Sequence, residues 1–305
     1  MVAVVQTPFD RSGKVDHESL DRLVEHAIGS GASGLLAPVV ASEVGNLSGL
    51  EREAVVHTIR KAAGGRVPLI VGASDPDPDL CRHYASWVQE GDAGYLVAVP
   101  DRFYGNPEDA IEFFRRASAG LDHPLMIQDL RWNAPGLSID VIAGIADAIP
   151  TVRGFKIETV PAGPAYTSVL EHFGGDIYVC GGWAVTQLIE ALDRGVHGVV
   201  PESSMIPVYN RIFRLHRRGF RDQALSLFRR LLPVIGFANQ DLYTSIAFFK
   251  RLLVRKGAIS FDYVRSPGLA WDVHSLRIAD ELIDLYLALE AETLSMLGDE
   301  EVNSE

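Results

Sequence analysis

With 305 residues, 47% of them hydrophobic and 22% charged, the chain is long enough for one large α/β domain or two smaller ones around a sizeable core. A formal net charge of -12 excludes a general nucleic-acid or anionic-membrane surface, which needs a surplus of Lys and Arg, and favours a small-molecule partner. The two cysteines, Cys81 and Cys180, make no metal-ligand cluster, and the start Met1-Val2-Ala3-Val4-Val5-Gln6 has neither a basic region nor a long apolar core, so a cytoplasmic protein without structural disulfides, targeting peptide or transmembrane span is expected.

In chain order, apolar runs at 3–5, 34–37, 68–72, 94–99, 125–129, 154–157, 177–180 and 198–200 alternate with helical patterns at 19–29, 50–63, 78–89, 107–119, 138–148, 165–173, 185–194 and 206–217. That alternation predicts parallel strands joined by crossover helices, and eight such units predict a closed (β/α)8 TIM barrel over residues 1–220. The junctions Gly31-Ala32-Ser33-Gly34, Gly91-Asp92-Ala93-Gly94 and Gly195-Val196-His197-Gly198 repeat one device, a glycine at the helix cap and another where a strand begins. From residue 221 the alternation stops. Helical patterns at 221–232, 242–255 and 276–297 predict a C-terminal helical extension, expected to pack under the barrel or to form a subunit contact. A polar tail over 298–305 is expected to fray.

The sixth strand carries the sharpest chemical signal, the run Val152-Arg153-Gly154-Phe155-Lys156-Ile157-Glu158. Barrels of this kind gather their reacting groups at the C-terminal ends of the strands, and Lys156 lies at such an end. An amine at the mouth of an apolar pocket is costly to keep charged, which lowers its pKa from about 10.4 and makes it a nucleophile toward carbonyls. Residues two apart on a strand face the same way, so Glu158 points with Lys156 and is placed to move protons at an imine. The same carboxylate also favours the ammonium, which opposes activation. After the second strand, the small residues around Ala41 and Ser42 predict a loop whose N–H groups and hydroxyl approach an anion, with Glu43 beside them. Ser48 and Glu51 have the spacing of a capping box.

These segments resemble the dihydrodipicolinate synthase / N-acetylneuraminate lyase family of class I aldolases over nearly the whole chain. The resemblance rests on Thr7-Pro8-Phe9, Leu47-Ser48 with Glu51-Arg52, Pro100 with Phe103-Tyr104, Gly154-Phe155-Lys156 and Cys180-Gly181-Gly182. It implies that Lys156 forms an imine with pyruvate or another 2-oxo acid, that the loop after the second strand holds the acid's carboxylate, that no cofactor or metal takes part, and that the chain assembles as a homo-oligomer, tetramer or dimer. The departures imply a divergent branch and argue against true dihydrodipicolinate synthase. The loop reads Val39-Val40-Ala41-Ser42-Glu43 in place of Gly-Thr-Thr-Gly-Glu, and Gln128 stands where the family has its proton-relaying tyrosine. A glutamine amide orients a substrate oxygen but exchanges no proton near neutral pH, so Glu158 is the most attractive replacement acid/base, with Asp129 and Glu43 behind it.

By the same resemblance Arg102 and Tyr104 fall near the tyrosine supplied by a neighbouring subunit, and Arg131 near the carboxylate-binding arginine. Gly181 and Trp183 are expected to line the pocket, with Trp132 and Phe103 as further apolar surface. Alternating geometry turns Asp129 away from Gln128. Two function classes follow: a Schiff-base-forming lyase, aldolase or dehydratase, on a 2-oxo acid such as pyruvate or a sugar-derived keto acid; or a regulatory barrel that binds such an acid after losing the tyrosine relay.

Overall fold

Eight short strands, β1 (Val2–Val4), β2 (Gly34–Ala37), β3 (Leu69–Gly72), β4 (Gly94–Ala98), β5 (Leu125–Leu130), β6 (Val152–Glu158), β7 (Tyr178–Gly181) and β8 (Gly198–Val199), pair in parallel in the order of the chain. The computed structural model describes residues 1–182, 186–265, 268 and 270–302, with Pro107 and residues 296–302 described by backbone alone. Parallel neighbours need a crossover between them. It is supplied by α1 (His17–Gly29), α2 (Gly49–Ala63), α3 (Pro78–Ala85), α4 (Pro107–Ala117), α5 (Ile139–Ala148), α6 (Ala162–Phe173) and α7 (Leu188–Asp193), and α8 (Ile206–Arg217) follows β8. The ring closes where Val4 meets Glu202 in a parallel bridge and the Val4 N–H donates to Pro201 O at 2.8 Å. The (β/α)8 barrel expected from the sequence is therefore the fold.

Strand alternation divides the apolar residues into two cores. Leu35, Val71, Tyr95, Ile127, Phe155, Ile157 and Val179 pack outward against the helices, while Val4, Leu36, Ile70, Leu96, Cys180 and Val200 fill the barrel. Local signals set the helix starts: Asp16 caps α1, and Ser48 with Glu51 forms the expected capping box on α2, which ends on the left-handed Gly64.

Three helix bounds differ from expectation. α3 stops at Ala85, short of Gln89, because the Trp87 and Val88 N–H groups bond three residues back, to Tyr84 O and Ala85 O, in a tightened last turn. α9 (Arg221–Ala238) runs through Pro233. A proline inside a helix costs about 3 kcal/mol, and burial of Val234, Ile235 and Ala238 in the turn after it, at about 1.5–3 kcal/mol for each large side chain, outweighs that cost. α11 (Val273–Val302) carries the helix into the stretch expected as a polar tail, of which residues 303–305 lie outside the described residues.

The larger correction concerns α10 (Leu242–Arg255), which stands over the mouth of the barrel rather than beneath it. Lys250 Nζ bonds Glu43 Oε1 at 2.5 Å, in the loop after β2, and Lys256 Nζ bonds Ser204 O at 2.8 Å, in the loop after β8. Both loops leave the C-terminal ends of strands, so these two lysines fasten the extension to the rim where the chemistry lies. Among the described residues no helix is long and apolar enough to cross a membrane.

Candidate active site

Gly154, Lys156 and Glu158 occupy the inward positions of β6, with Gln128 of β5 in register on one side of Lys156 and Cys180 of β7 on the other. Lys156 is only 3% exposed, and its Nζ lies 2.7 Å from Glu158 Oε1. The other oxygen of Glu158 accepts a short hydrogen bond from Gln128 Nε2. An amide oxygen turned toward a carboxylate would be repelled, so this contact sets the amide's orientation. Among the described residues Gln128 Oε1 is then buried without a partner. Glu158 takes one of the two amide N–H groups of Gln128, which leaves the second for the substrate carbonyl expected there and Oε1 as an acceptor that suits a hydroxyl.

Glycine at the end of β7 is what lets this cluster form. A Cβ at Gly182 would lie 1.9 Å from Glu158 Oε1 and 2.9 Å from Lys156 Cε, and one at Gly181 would lie 2.6 Å from the Tyr166 hydroxyl. Gly181 thus lets Tyr166 reach Ile157 O at 3.2 Å from behind the strand and does not itself line the cavity. Trp183, expected beside it, lies outside the described residues.

The cavity beside Lys156 is walled by Val39, Val40 and Ala41 after β2, by Leu130 at the end of β5 and Trp132 beyond it, and by Gln6, Val200 and Glu202 on the β8–β1 side. Asn239, Leu242, Ser245, Ile246 and Phe249 cover it from α9–α10. The lysine is thus paired with an acid that favours its charged form, yet it also faces a cavity in which a carbonyl can reach it.

Several expected contacts sit elsewhere. The Ser42 hydroxyl donates to Val5 O at 2.6 Å, and Ser42 O accepts from the Thr7 hydroxyl at 2.8 Å, so Ser42 braces its loop against β1 and offers nothing to an anion. Glu43 adopts a left-handed backbone (φ 59°) and accepts from Lys250 Nζ and from the Arg265 N–H at 2.8 Å. It holds the rim to α10. Lys250 has 0% exposure, lies over the Phe9 ring, and burial brings its amine down to about 8 against the opposing pull of Glu43.

Tyr104 and Arg131 form a second layer outside the cavity. The Tyr104 hydroxyl donates to Asp129 Oδ1 and Leu130 O, both at 2.9 Å, and the Leu137 N–H donates to Asp129 Oδ2 at 3.0 Å. Burial pushes the Asp129 carboxyl up. The Arg131 guanidinium lies over the Tyr104 ring and donates to Pro135 O at 3.1 Å, beside a cleft that reaches Glu158 from the other side. Arg102 is exposed, bonds Pro76 O at 2.6 Å and is apart from Lys156 within this chain. Among the described residues no group of three or more His, Cys, Asp or Glu is arranged to hold a metal ion.

Gln6, Glu202 and the α9–α10 residues escaped the sequence reading. For the first two a signal existed: each lies two residues beyond an inward-facing valine, Val4 and Val200, so strand alternation turns both into the barrel. For Asn239, Leu242, Ser245, Ile246 and Phe249 there was none, because a covering helix and a supporting one share the same apolar period.

The sequence pattern of the Dihydrodipicolinate synthetase family matches residues 1–278. The chain belongs to that family. It is 30% identical over 273 residues to the L-2-keto-3-deoxyarabonate dehydratase of Azospirillum brasilense, covering 87% of this chain and 86% of that one. With the 4-hydroxy-tetrahydrodipicolinate synthase of Porphyromonas gingivalis it shares 25% identity, covering 86% of this chain and 88% of the relative. The dihydrodipicolinate synthase of Rhodopseudomonas palustris superposes with a TM-score of 0.84 at 25% identity, over 93% of this chain and 96% of its own. The N-acetylneuraminate lyase of Mycoplasma synoviae shares the fold, at a TM-score of 0.81 and 18% identity over 94% of this chain and 98% of its own. Membership of the dihydrodipicolinate synthetase family makes this chain an enzyme, a lyase of the class I aldolase type, and the purely binding barrel is not favoured.

Proposed function

We propose that the protein is a Schiff-base-forming dehydratase of a hydroxylated 2-oxo acid, with Lys156 as nucleophile and Glu158 as the single proton carrier. The observation that carries this reading is the 2.7 Å contact between Lys156 Nζ and Glu158 at the wall of a covered cavity, with Gln128 in the place of a phenol. The ammonium passes its proton to Glu158, and the free amine attacks C2 of the acid. Glu158 returns that proton to the carbinolamine hydroxyl, which leaves as water, so the imine forms and the carboxylate is free again. The imine draws electrons from C3, so Glu158 takes a C3 proton and an enamine results. Breaking the C4–O bond, with the proton on Glu158 leaving in the departing water, completes the dehydration, and hydrolysis of the imine frees Lys156.

Gln128 holds Glu158 in place and presents its Oε1 to a hydroxyl beside the reacting carbons. The substrate carboxylate is assigned to the N–H groups of Val40 and Ala41, the first of a 3-10 turn (Val40–Ser42) and so without a partner inside it. Pyruvate-like acids are the broader substrate class, a homo-oligomer in the cytoplasm is the expected working form, and no cofactor is required by this chemistry.

The test is borohydride trapping with pyruvate and with L-2-keto-3-deoxyarabonate, the acid named by the 30% identical relative. The expected result is added mass on the peptide carrying Lys156, together with loss of one water from the sugar acid during turnover. No labelling by either acid would overturn the imine; release of pyruvate and an aldehyde would replace dehydration by aldol cleavage on the same lysine.

A further inference from the structure

The cavity has a second polar wall that the reaction at Lys156 leaves unused. β8 and β1 meet at the Val4–Glu202 bridge, and β7 and β8 separate that seam from β6, so Gln6 and Glu202 stand across the mouth from the amine. Both are buried, at 2% and 5% exposure. Glu202 accepts from the Ser204 N–H at 2.6 Å, the Met205 N–H at 3.1 Å and Gln6 Nε2 at 2.9 Å. As at Gln128, the carboxylate sets which end of the amide faces it.

Among the described residues Gln6 Oε1 is consequently buried with no hydrogen-bond partner. An amide acceptor without a donor is costly to bury. The lining nearby, Val4, Val39 and Val200, is aliphatic and has no side-chain donor to offer. A ligand that reaches from Lys156 across the mouth supplies one if it carries a hydroxyl.

We propose that Gln6 is a specificity-determining residue for the reaction at Lys156: its Oε1 accepts a hydrogen bond from a hydroxyl on the distal part of a 2-oxo acid longer than pyruvate, and Glu202 positions the amide. The proposal rests on Lys156 as the imine-forming residue. A site built to bond a hydroxyl discriminates against the deoxy analogue, which leaves the buried acceptor unpaired.

The experiment compares borohydride labelling of Lys156 by 4-hydroxy-2-oxopentanoate and by its 4,5-dihydroxy counterpart, which differ only in the distal hydroxyl, in the wild type and in Gln6→Met, with pyruvate as the common reference. The wild type is expected to reach half-maximal labelling at a roughly tenfold or lower concentration of the dihydroxy acid. In Gln6→Met that preference collapses toward unity, while labelling by pyruvate and 4-hydroxy-2-oxopentanoate is retained. Where Gln6→Met does not fold, Gln6→Asn, which keeps the amide but withdraws it by one methylene, is read on the same scale. A wild type without the preference, or a folded variant that keeps it, overturns the assignment of Gln6. Absence of labelling by all three acids in the wild type overturns instead the imine on which it rests.

Discussion

Two walls of the cavity carry the same pair of side chains and differ in what else the carboxylate touches. On the β5–β6 wall Glu158 accepts from Gln128 and pairs with the ammonium of Lys156. On the β8–β1 wall Glu202 accepts from Gln6 and from two backbone N–H groups. An ammonium is a partner that gives up its proton, whereas a peptide N–H is not. The first glutamate is therefore equipped to carry protons, and the second to hold an amide still.

The largest effect that tests this contrast is expected from Glu158→Gln, which lowers kcat by about 10²–10⁴-fold, the usual contribution of a positioned acid/base. Turnover within tenfold of wild type, with intact trapping at Lys156, would remove Glu158 from the proton path. Next is Lys250→Met in the helix that roofs both walls. It strips the buried Glu43 carboxylate of its cation and is expected to cost about 3–5 kcal/mol in denaturant unfolding, loosening the loop that carries Ala41.

Glu202→Gln ranks below these. It sets an NH2 group against a backbone N–H and is expected to lower stability by about 1–3 kcal/mol while eroding the preference for the hydroxylated acid. A loss in kcat as deep as that of Glu158→Gln would erase the contrast between the walls.

The smallest effect is one of pH. Burial raises the Glu202 carboxyl above its ordinary 4.5, against the pull of Ser204, Gln6 and Lys256, so the folded protein takes up a proton there before the unfolded chain does. Relative to Glu202→Gln, the wild type therefore gains stability as pH falls through the raised value toward 4.5, and loses that increment as pH rises back through it. Its preference for the hydroxylated acid fades over the same interval, because a neutral carboxyl no longer dictates which end of the Gln6 amide faces it. A preference that is flat across this range would show that Glu202 does not govern Gln6.

Much of the architecture was legible because the periods of two and of 3.6 residues survive into the fold: all eight strands and eight crossover or closing helices lie where the apolar runs and glycine junctions put them, to within a few residues. The same period of two turned Lys156 and Glu158 inward together and sent Asp129 outward to Tyr104. Hydroxyls were misread, since a serine in a small-residue loop looks alike whether it faces a ligand or, as Ser42 does, a backbone carbonyl. The pattern at 221–232 stopped short of the helix end, since burial of the turn after Pro233 carries α9 on to Ala238.

Local pattern by itself determined the barrel, the inward lysine and the acid two residues beyond it, because each depends on periodicity within one strand. Only the tertiary structure decided that α10 roofs the mouth, that Lys250 binds Glu43, and that Gln6 meets Glu202 from the far end of the chain. Those contacts join residues about two hundred positions apart, and their energy comes from burying opposite charges and hydrogen-bonding groups together, which no single segment records.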